Sequence, residues 1–83
     1  MPTEAAPITA QEIRATASHL EVVTGQGVFE IPWRECSVRL ARATKSERAH
    51  AVLSPSGYGM HWPLIDEDLA VGPLVRSRKP KTA

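Results

Sequence analysis

The side chains that could do chemistry in this 83-residue chain are three histidines, one cysteine and a run of three acids. His61, Asp66 and Asp68 place an imidazole and two carboxylates close together in sequence, and a zinc ion accepts both ligand types. A zinc site, however, needs three or four ligands that converge at about 2.0–2.2 Å. Pro63 interrupts this segment, and the sequence has no His-x-x-His or Cys-x-x-Cys pair. We therefore interpret the acids as a helix cap and an acidic surface, and expect no metal site and no cofactor.

A thiol nucleophile is the second chemistry to consider, with Cys36 as the nucleophile and His19 or His50 as its base. Such catalysis needs an accessible thiolate that is oriented by a base and a third group. Cys36 falls instead on the apolar stripe of a predicted helix, where a free cysteine usually acts as a small buried hydrophobe. Since no nucleophile, base and oxyanion-donor set is visible elsewhere, we predict that the protein is not an enzyme.

The composition is that of a small globular domain: 42% of the residues are hydrophobic and 23% are charged. A chain of this size buries only about 60% of its extended surface, so every large apolar side chain matters to the core. No apolar run approaches the roughly 18–20 residues of a membrane span, and the first residues lack the features of a secretory signal. A single cysteine excludes an intramolecular disulfide. We predict a cytoplasmic protein without membrane contact.

The positive charge is concentrated at the C-terminus. Four of the ten basic residues lie in positions 76–83, which leaves six basic and nine acidic residues in positions 1–75, a net charge of −3. The four are Arg76, Arg78, Lys79 and Lys81. Such a tail could contact phosphates but would carry no sequence readout. We predict a basic flexible tail over 76–83, and a nucleic-acid-associated regulator that uses this tail is the alternative function.

The elements that would position these side chains follow from the hydrophobic pattern. Residues 1–10 are predicted to form a flexible leader, and residues 11–75 a single α+β domain. Alternation changes phase near Ser18 and His19, as a β-bulge or a short break would produce. The turn over 24–27 contains two glycines and joins two apolar alternating runs. These features predict a β-hairpin.

Beyond the hairpin, apolar residues recur with helical spacing from Trp33 to Ala43, which predicts the main helix. Thr44 and Glu47 have the spacing of a capping box and predict a short further helical turn. Residues 50–54 and 58–62 alternate like strands. Asp66 is the predicted N-cap of a short C-terminal helix that Gly72 and Pro73 limit. The predicted fold is therefore α+β: a small antiparallel sheet of three to four strands, one main helix packed on one face, and a short C-terminal helix.

Two segments resemble a known family. WRECSVRLARATKSERA, residues 33–49, and GMHWPLIDEDLAV, residues 59–71, are similar to the bacterial domain-of-unknown-function 2442 family. The similarity covers roughly residues 15–75, and it departs from the family's usual acidic-Gly-Leu-Leu ending at residues 72–74. The resemblance implies a small α+β domain without established enzymatic activity. It also implies a partner, since members often accompany another small protein in operons that resemble toxin–antitoxin pairs.

Our leading functional hypothesis is a non-enzymatic protein–protein binding module, antitoxin-like or accessory to another small protein. We expect Trp33 and Trp62 in the core, while the sequence does not decide between core and interface for Tyr58. The predicted contact surface consists of Tyr58, Met60, Asp66, Glu67 and Asp68. Its acidity would suit a basic partner. A homodimer formed through an edge strand is a further arrangement that the sequence allows.

Overall fold

Two three-stranded antiparallel sheets and four short helices make up residues 8–81, the part of the chain that the computed structural model describes. The predicted α+β class is confirmed, but the strands form two sheets and not one sheet of three to four strands. In chain order the elements are β1 (Ala10–Ala15), β2 (His19–Thr24), β3 (Gly27–Pro32), α1 (Trp33–Cys36), α2 (Val38–Arg42), α3 (Lys45–Ala49), β4 (Val52–Leu53), β5 (Gly59–Trp62), β6 (Glu67–Ala70) and α4 (Val71–Val75).

The first sheet has the order β1-β2-β3 and contains the predicted hairpin, in which β2 and β3 pair from Thr24 opposite Gly27 to His19 opposite Pro32. The predicted phase change near Ser18 is a short break that reverses the chain between β1 and β2. Thr16 holds this reversal, because its Oγ1 accepts a hydrogen bond from the His19 backbone N–H at 3.0 Å. The irregularity in the strand pairing itself lies in β1, between Ala10 and Glu12.

The predicted main helix from Trp33 to Ala43 is wrong, because Ser37 divides it into α1 and α2. Ser37 has an extended backbone (φ −169°, ψ 164°), and its Oγ accepts the Leu40 N–H at 3.1 Å as the N-cap of α2. A serine hydroxyl competes in this way with helical backbone bonding. The predicted capping box at α3 is confirmed, with Glu47 N–H donating to Thr44 Oγ1 and Thr44 N–H donating to Glu47 Oε1.

The second sheet has the order β4-β5-β6 and overturns the prediction that Asp66 begins a helix. Asp66 has a positive φ of 52° in the turn after β5, a conformation that aspartate tolerates better than most residues. The chain then pairs back along β5, with Leu69 opposite Met60. The short C-terminal helix exists as α4, but it begins only at Val71. Pro73 fits there because the first turn of a helix leaves its N–H groups without intrahelical partners.

One buried cluster draws side chains from both sheets and from α1, α2 and α4. Trp33 and Trp62 meet edge to face in it, with ring centroids 6.5 Å apart, which confirms the predicted core position of both. Each indole N–H has a backbone acceptor, Thr16 O for Trp33 at 2.9 Å and Arg48 O for Trp62 at 3.1 Å. None of the helices among residues 8–81 has the length and apolar character needed to cross a membrane.

Candidate binding surface

The outer face of the second sheet is built by the alternation of side chains in three short strands. In β5, Met60 and Trp62 point into the core, so Gly59 and His61 lie on the opposite side. His61 is paired with Val52 of β4 on one side and with Asp68 of β6 on the other. We call the surface formed by Val52, Ser54, Gly59, His61 and Asp68 the second-sheet face.

A histidine–carboxylate pair lies at the centre of the second-sheet face. His61 Nδ1 lies 2.7 Å from Asp68 Oδ1, and the two side chains are 43% and 74% exposed. An ionised carboxylate can only accept, so Nδ1 carries the proton and donates. The exposed pair adds little to stability, because solvent screens such pairs. Its effect is to orient the imidazole on the surface.

A shallow concavity of about 190 Å³ lies beside this pair and is bordered by Val52, Ser54, Gly59, Met60, His61, Asp68 and Leu69. Pockets for small molecules usually measure about 300–1,000 Å³. The concavity is therefore of a size to receive one side chain of a partner. Val52 is 53% exposed at its border, whereas Tyr58, which is 50% exposed, lies just before β5 and outside that border.

The structure separates the residues that the sequence predicted as one contact surface. Asp66 is exposed in the β5–β6 turn, and Asp68 is exposed on the second-sheet face. Glu67, the residue before Asp68 in β6, is half-buried and is paired with Trp62 of β5. Met60 borders the concavity but is only 2% exposed, so it offers a partner almost no surface. It is a core residue because strand alternation turns it inward together with Trp62.

Sequence reasoning missed Val52 and His61 as surface residues. The signal was present in the alternation of β5: once Trp62 is assigned to the core, the residue before it must point outward. His61 was considered only as a metal ligand together with Asp66 and Asp68. The structure brings His61 and Asp68 together but places Asp66 in the turn.

The basic C-terminal residues contact the body of the domain. Arg78 Nη1 lies 2.9 Å from Glu35 Oε1, and Lys81 Nζ lies 2.9 Å from Glu30 Oε2. The Lys81 backbone N–H also donates to Val28 O at the edge of β3. Two of the four basic residues that were predicted to contact phosphates are thus already paired with acidic side chains. This pairing weakens the case for the nucleic-acid alternative. The division at residues 10 and 75 stays a prediction, and residues 1–7, 82 and 83 lie outside the described part.

Cys36 is buried, as the sequence predicted, with its Sγ donating to Ile31 O at 3.7 Å. Burial raises the pKa of the Cys36 thiol to about 11 from its ordinary value of 9.0, against smaller opposing effects of the Arg78 and Arg48 charges. The thiolate form is therefore scarce at neutral pH. Only that form is a strong nucleophile.

This raised pKa predicts a stability that falls at high pH. The contribution of the protonated Cys36 thiol is fully present below about pH 9 and is lost as the pH rises through about 11. We expect the free energy of unfolding to fall by about 2 kcal/mol over that range, because only the unfolded thiol ionises freely. Urea unfolding at pH 8 and pH 10.5 measures the loss. Cys36→Ala is the control, and an equal loss in that variant would contradict the assignment.

Comparison with known proteins places the chain in a group defined by sequence and fold. Residues 10–80 match the family model described as protein of unknown function, DUF2442. A solved structure of a protein of unknown function from Rhodospirillum rubrum ATCC 11170 is similar at a TM-score of 0.74 and 24% identity. The match covers 86% of this chain and 88% of that one. At this identity the likeness shows the fold alone. No curated protein matches the chain.

Proposed function

We propose that this chain, which belongs to the DUF2442 family of unknown function, is a protein-binding module and not an enzyme. Its partner in this proposal is another small protein, to which it is antitoxin-like or accessory. The observation that carries the proposal is the second-sheet face, where exposed apolar and polar side chains surround a concavity sized for one side chain. Interfaces combine apolar anchors that fill such pockets with a polar rim.

The apolar part of the contact comes from Val52, which is 53% exposed. Burying exposed apolar area gives about 25 cal/mol per Å². Val52 borders the concavity, so a partner side chain that enters the concavity also covers Val52. This arrangement supports a continuous contact on one face of the sheet.

The polar part of the contact comes from Asp68 and His61. Asp68 is 74% exposed and acidic. This carboxylate would attract a basic group of the partner toward the second-sheet face. Binding through this contact would weaken as the salt concentration rises. We therefore propose a partner that presents an apolar side chain flanked by lysine or arginine.

The face is a better candidate for this contact than the edge of the sheet. β6 lies at the edge, where strand addition would need its outward backbone groups. Asp68 N–H, however, already donates to Glu67 Oε1 at 3.1 Å. This bond occupies one of the groups that an added strand would use, so the proposal assigns the partner to the side chains of the face.

The test compares two valines of similar exposure in different places. Val52 lies on the second-sheet face and Val38 lies on α2, 53% and 69% exposed. The tagged wild-type chain is purified from its native cells, the co-purifying protein is identified, and binding is then measured with both purified components. Val52→Lys should weaken binding at least tenfold, because it places a charge in the contact and repels a basic partner. Val38→Lys should leave binding within about twofold, since an isolated surface change away from a contact has little effect.

Salt provides the second measurement for the same pair of proteins. Binding to the wild type should weaken as the salt concentration rises, and this dependence should be smaller for Asp68→Asn. A partner that binds Val52→Lys and Val38→Lys equally would contradict the proposed face. Catalytic turnover by the purified chain would contradict the non-enzymatic assignment.

A further inference from the structure

A second group of polar side chains lies on the outer face of the first sheet, away from the second-sheet face. His19 and Glu21 are two residues apart on β2 and therefore project from the same side. Glu30 of β3 is directly opposite Glu21 in the strand register. One ring nitrogen and two carboxylate oxygens from these residues all lie within 4.8 Å of one another. We call this group the His-Glu-Glu cluster.

Two of the three separations within the His-Glu-Glu cluster are those of ligands around a shared ion. His19 Nε2 lies 3.4 Å from Glu21 Oε2 and 3.4 Å from Glu30 Oε2. A direct charge-assisted hydrogen bond is usually shorter, at about 2.7–2.9 Å. A tetrahedral zinc ion with ligands at about 2.0–2.1 Å holds its ligand atoms about 3.3–3.4 Å apart. These two separations match the ion geometry better than the geometry of a direct charge-assisted hydrogen bond.

Neighbouring groups orient two of the three ligands. Ser18 Oγ lies 2.9 Å from His19 Nδ1, which leaves Nε2 to face the carboxylates. Arg14 Nη1 donates to Glu21 Oε1 at 3.2 Å, so the other carboxylate oxygen faces the histidine. Metal-binding histidines and carboxylates usually have such partners on their second polar atom. The cluster side chains are 22%, 20% and 31% exposed for His19, Glu21 and Glu30, so they are partly shielded from water.

The carboxylates of Glu21 and Glu30 face each other, so a positive charge beside them stabilises this part of the sheet. Like charges directly opposite each other across two strands are destabilising. Lys81 now supplies one positive charge, since its Nζ lies 2.9 Å from Glu30 Oε2, the same oxygen that faces His19. A cation bound between the three ligands would compete with this ammonium group for Glu30. Binding would therefore release the Lys81 side chain from Glu30.

We propose that His19, Glu21 and Glu30 bind a divalent transition-metal ion of the zinc type, with Lys81 as an internal competitor. An imidazole nitrogen with two carboxylate oxygens suits zinc, cobalt and related ions better than calcium or magnesium, which prefer oxygen ligands alone. This site is independent of the proposed partner surface, because it lies on the other sheet.

Cobalt(II) is the probe for the test, because its visible absorption reports tetrahedral coordination and would also reveal a thiolate ligand. The full chain is treated with a chelator, titrated with cobalt and then challenged with zinc. The wild type should bind one ion saturably. His19→Ala and Glu30→Gln should each weaken binding by more than tenfold, since even the loss of a supporting group costs about 10- to 100-fold. Lys81→Ala should tighten binding by up to about fivefold, because an exposed ion pair contributes little.

His50→Ala is the matched control, since His50 is exposed on the chain after α3 and its Nδ1 lies 2.8 Å from Ser46 O. Binding lost in His19→Ala and Glu30→Gln and kept in His50→Ala supports the site. The proposal is overturned if the wild type shows no saturable binding, if either cluster variant binds as the wild type does, or if Lys81→Ala binds more weakly. Where a cluster variant fails to fold by circular dichroism, Glu21→Gln replaces it with the same expected loss.

Discussion

Trp62→Ala is expected to lower the free energy of unfolding by about 3–5 kcal/mol. Trp62 is fully buried, its ring meets Trp33 edge to face, and its indole N–H donates to Arg48 O. The substitution therefore opens a cavity, removes an aromatic contact and leaves a carbonyl without its donor. Domains are stable by only about 0.05–0.15 kcal/mol per residue, so this loss is a large part of the total for a chain of this size.

Urea unfolding followed by circular dichroism measures this loss, with two variants beside it. Leu64→Ala removes an apolar side chain that is 54% exposed, and it should change the free energy of unfolding by less than about 0.5 kcal/mol. Trp62→Phe keeps an aromatic ring but loses the indole donor, so its stability should lie between wild type and Trp62→Ala. Equal midpoints for Trp62→Ala and Leu64→Ala would show that Trp62 is not a core residue.

Gly57→Ala is expected to lower the free energy of unfolding by about 2–5 kcal/mol, through backbone strain and overpacking together. Gly57 has a φ of 81°, a conformation that a residue with a Cβ adopts only at a cost. A Cβ at this position would lie 2.6 Å from Ala10 O, which is a backbone atom and cannot move independently of β1. The Ala10 N–H also donates to Gly57 O at 2.8 Å. Moving Ala10 away from the added Cβ would therefore strain this hydrogen bond between β1 and the turn before β5.

Gly25→Ala is the matched control for Gly57→Ala. Gly25 lies in the turn between β2 and β3, and a Cβ there would have no heavy atom within 4 Å. Its φ is not in the left-handed region, so alanine should be neutral or slightly stabilising through the unfolded chain. Thermal unfolding compares the two variants directly. Similar melting temperatures for both would show that the approach of residue 57 to Ala10 is not needed for the fold.

The elements predicted correctly are those set by local residues. The β2–β3 hairpin follows from two alternating runs around a glycine turn, and the cap of α3 follows from the spacing of Thr44 and Glu47. The hairpin turn also fixes its register, which places Glu21 opposite Glu30. The sequence therefore contained the pairing within the His-Glu-Glu cluster. The approach of His19 Nε2 and Lys81 Nζ to the Glu30 carboxylate depended on side-chain conformations and on the course of the C-terminal residues.

The wrong predictions lie where a local preference competed with a distant partner. Ser37 looked like an interior residue of one amphipathic helix, but its hydroxyl caps a second helix and divides the two. The acids after Pro63 looked like the first turn of a helix, since carboxylates favour that position. In the fold Asp66 lies in a turn and Glu67 and Asp68 begin β6, because β5 offers a strand partner and Leu69 can lie opposite Met60.

The sequence by itself determined the family, the α+β class, the hairpin and the aromatic core, since these depend on composition, spacing and turn residues that act locally. Only the tertiary structure decided that the strands divide into two sheets and that His61 contacts Asp68 and not Asp66. It also decided which cations meet Glu30. The physical reason is that strand pairing and side-chain contacts join residues far apart in the chain, and their free energy outweighs a local preference of at most about 1 kcal/mol per residue.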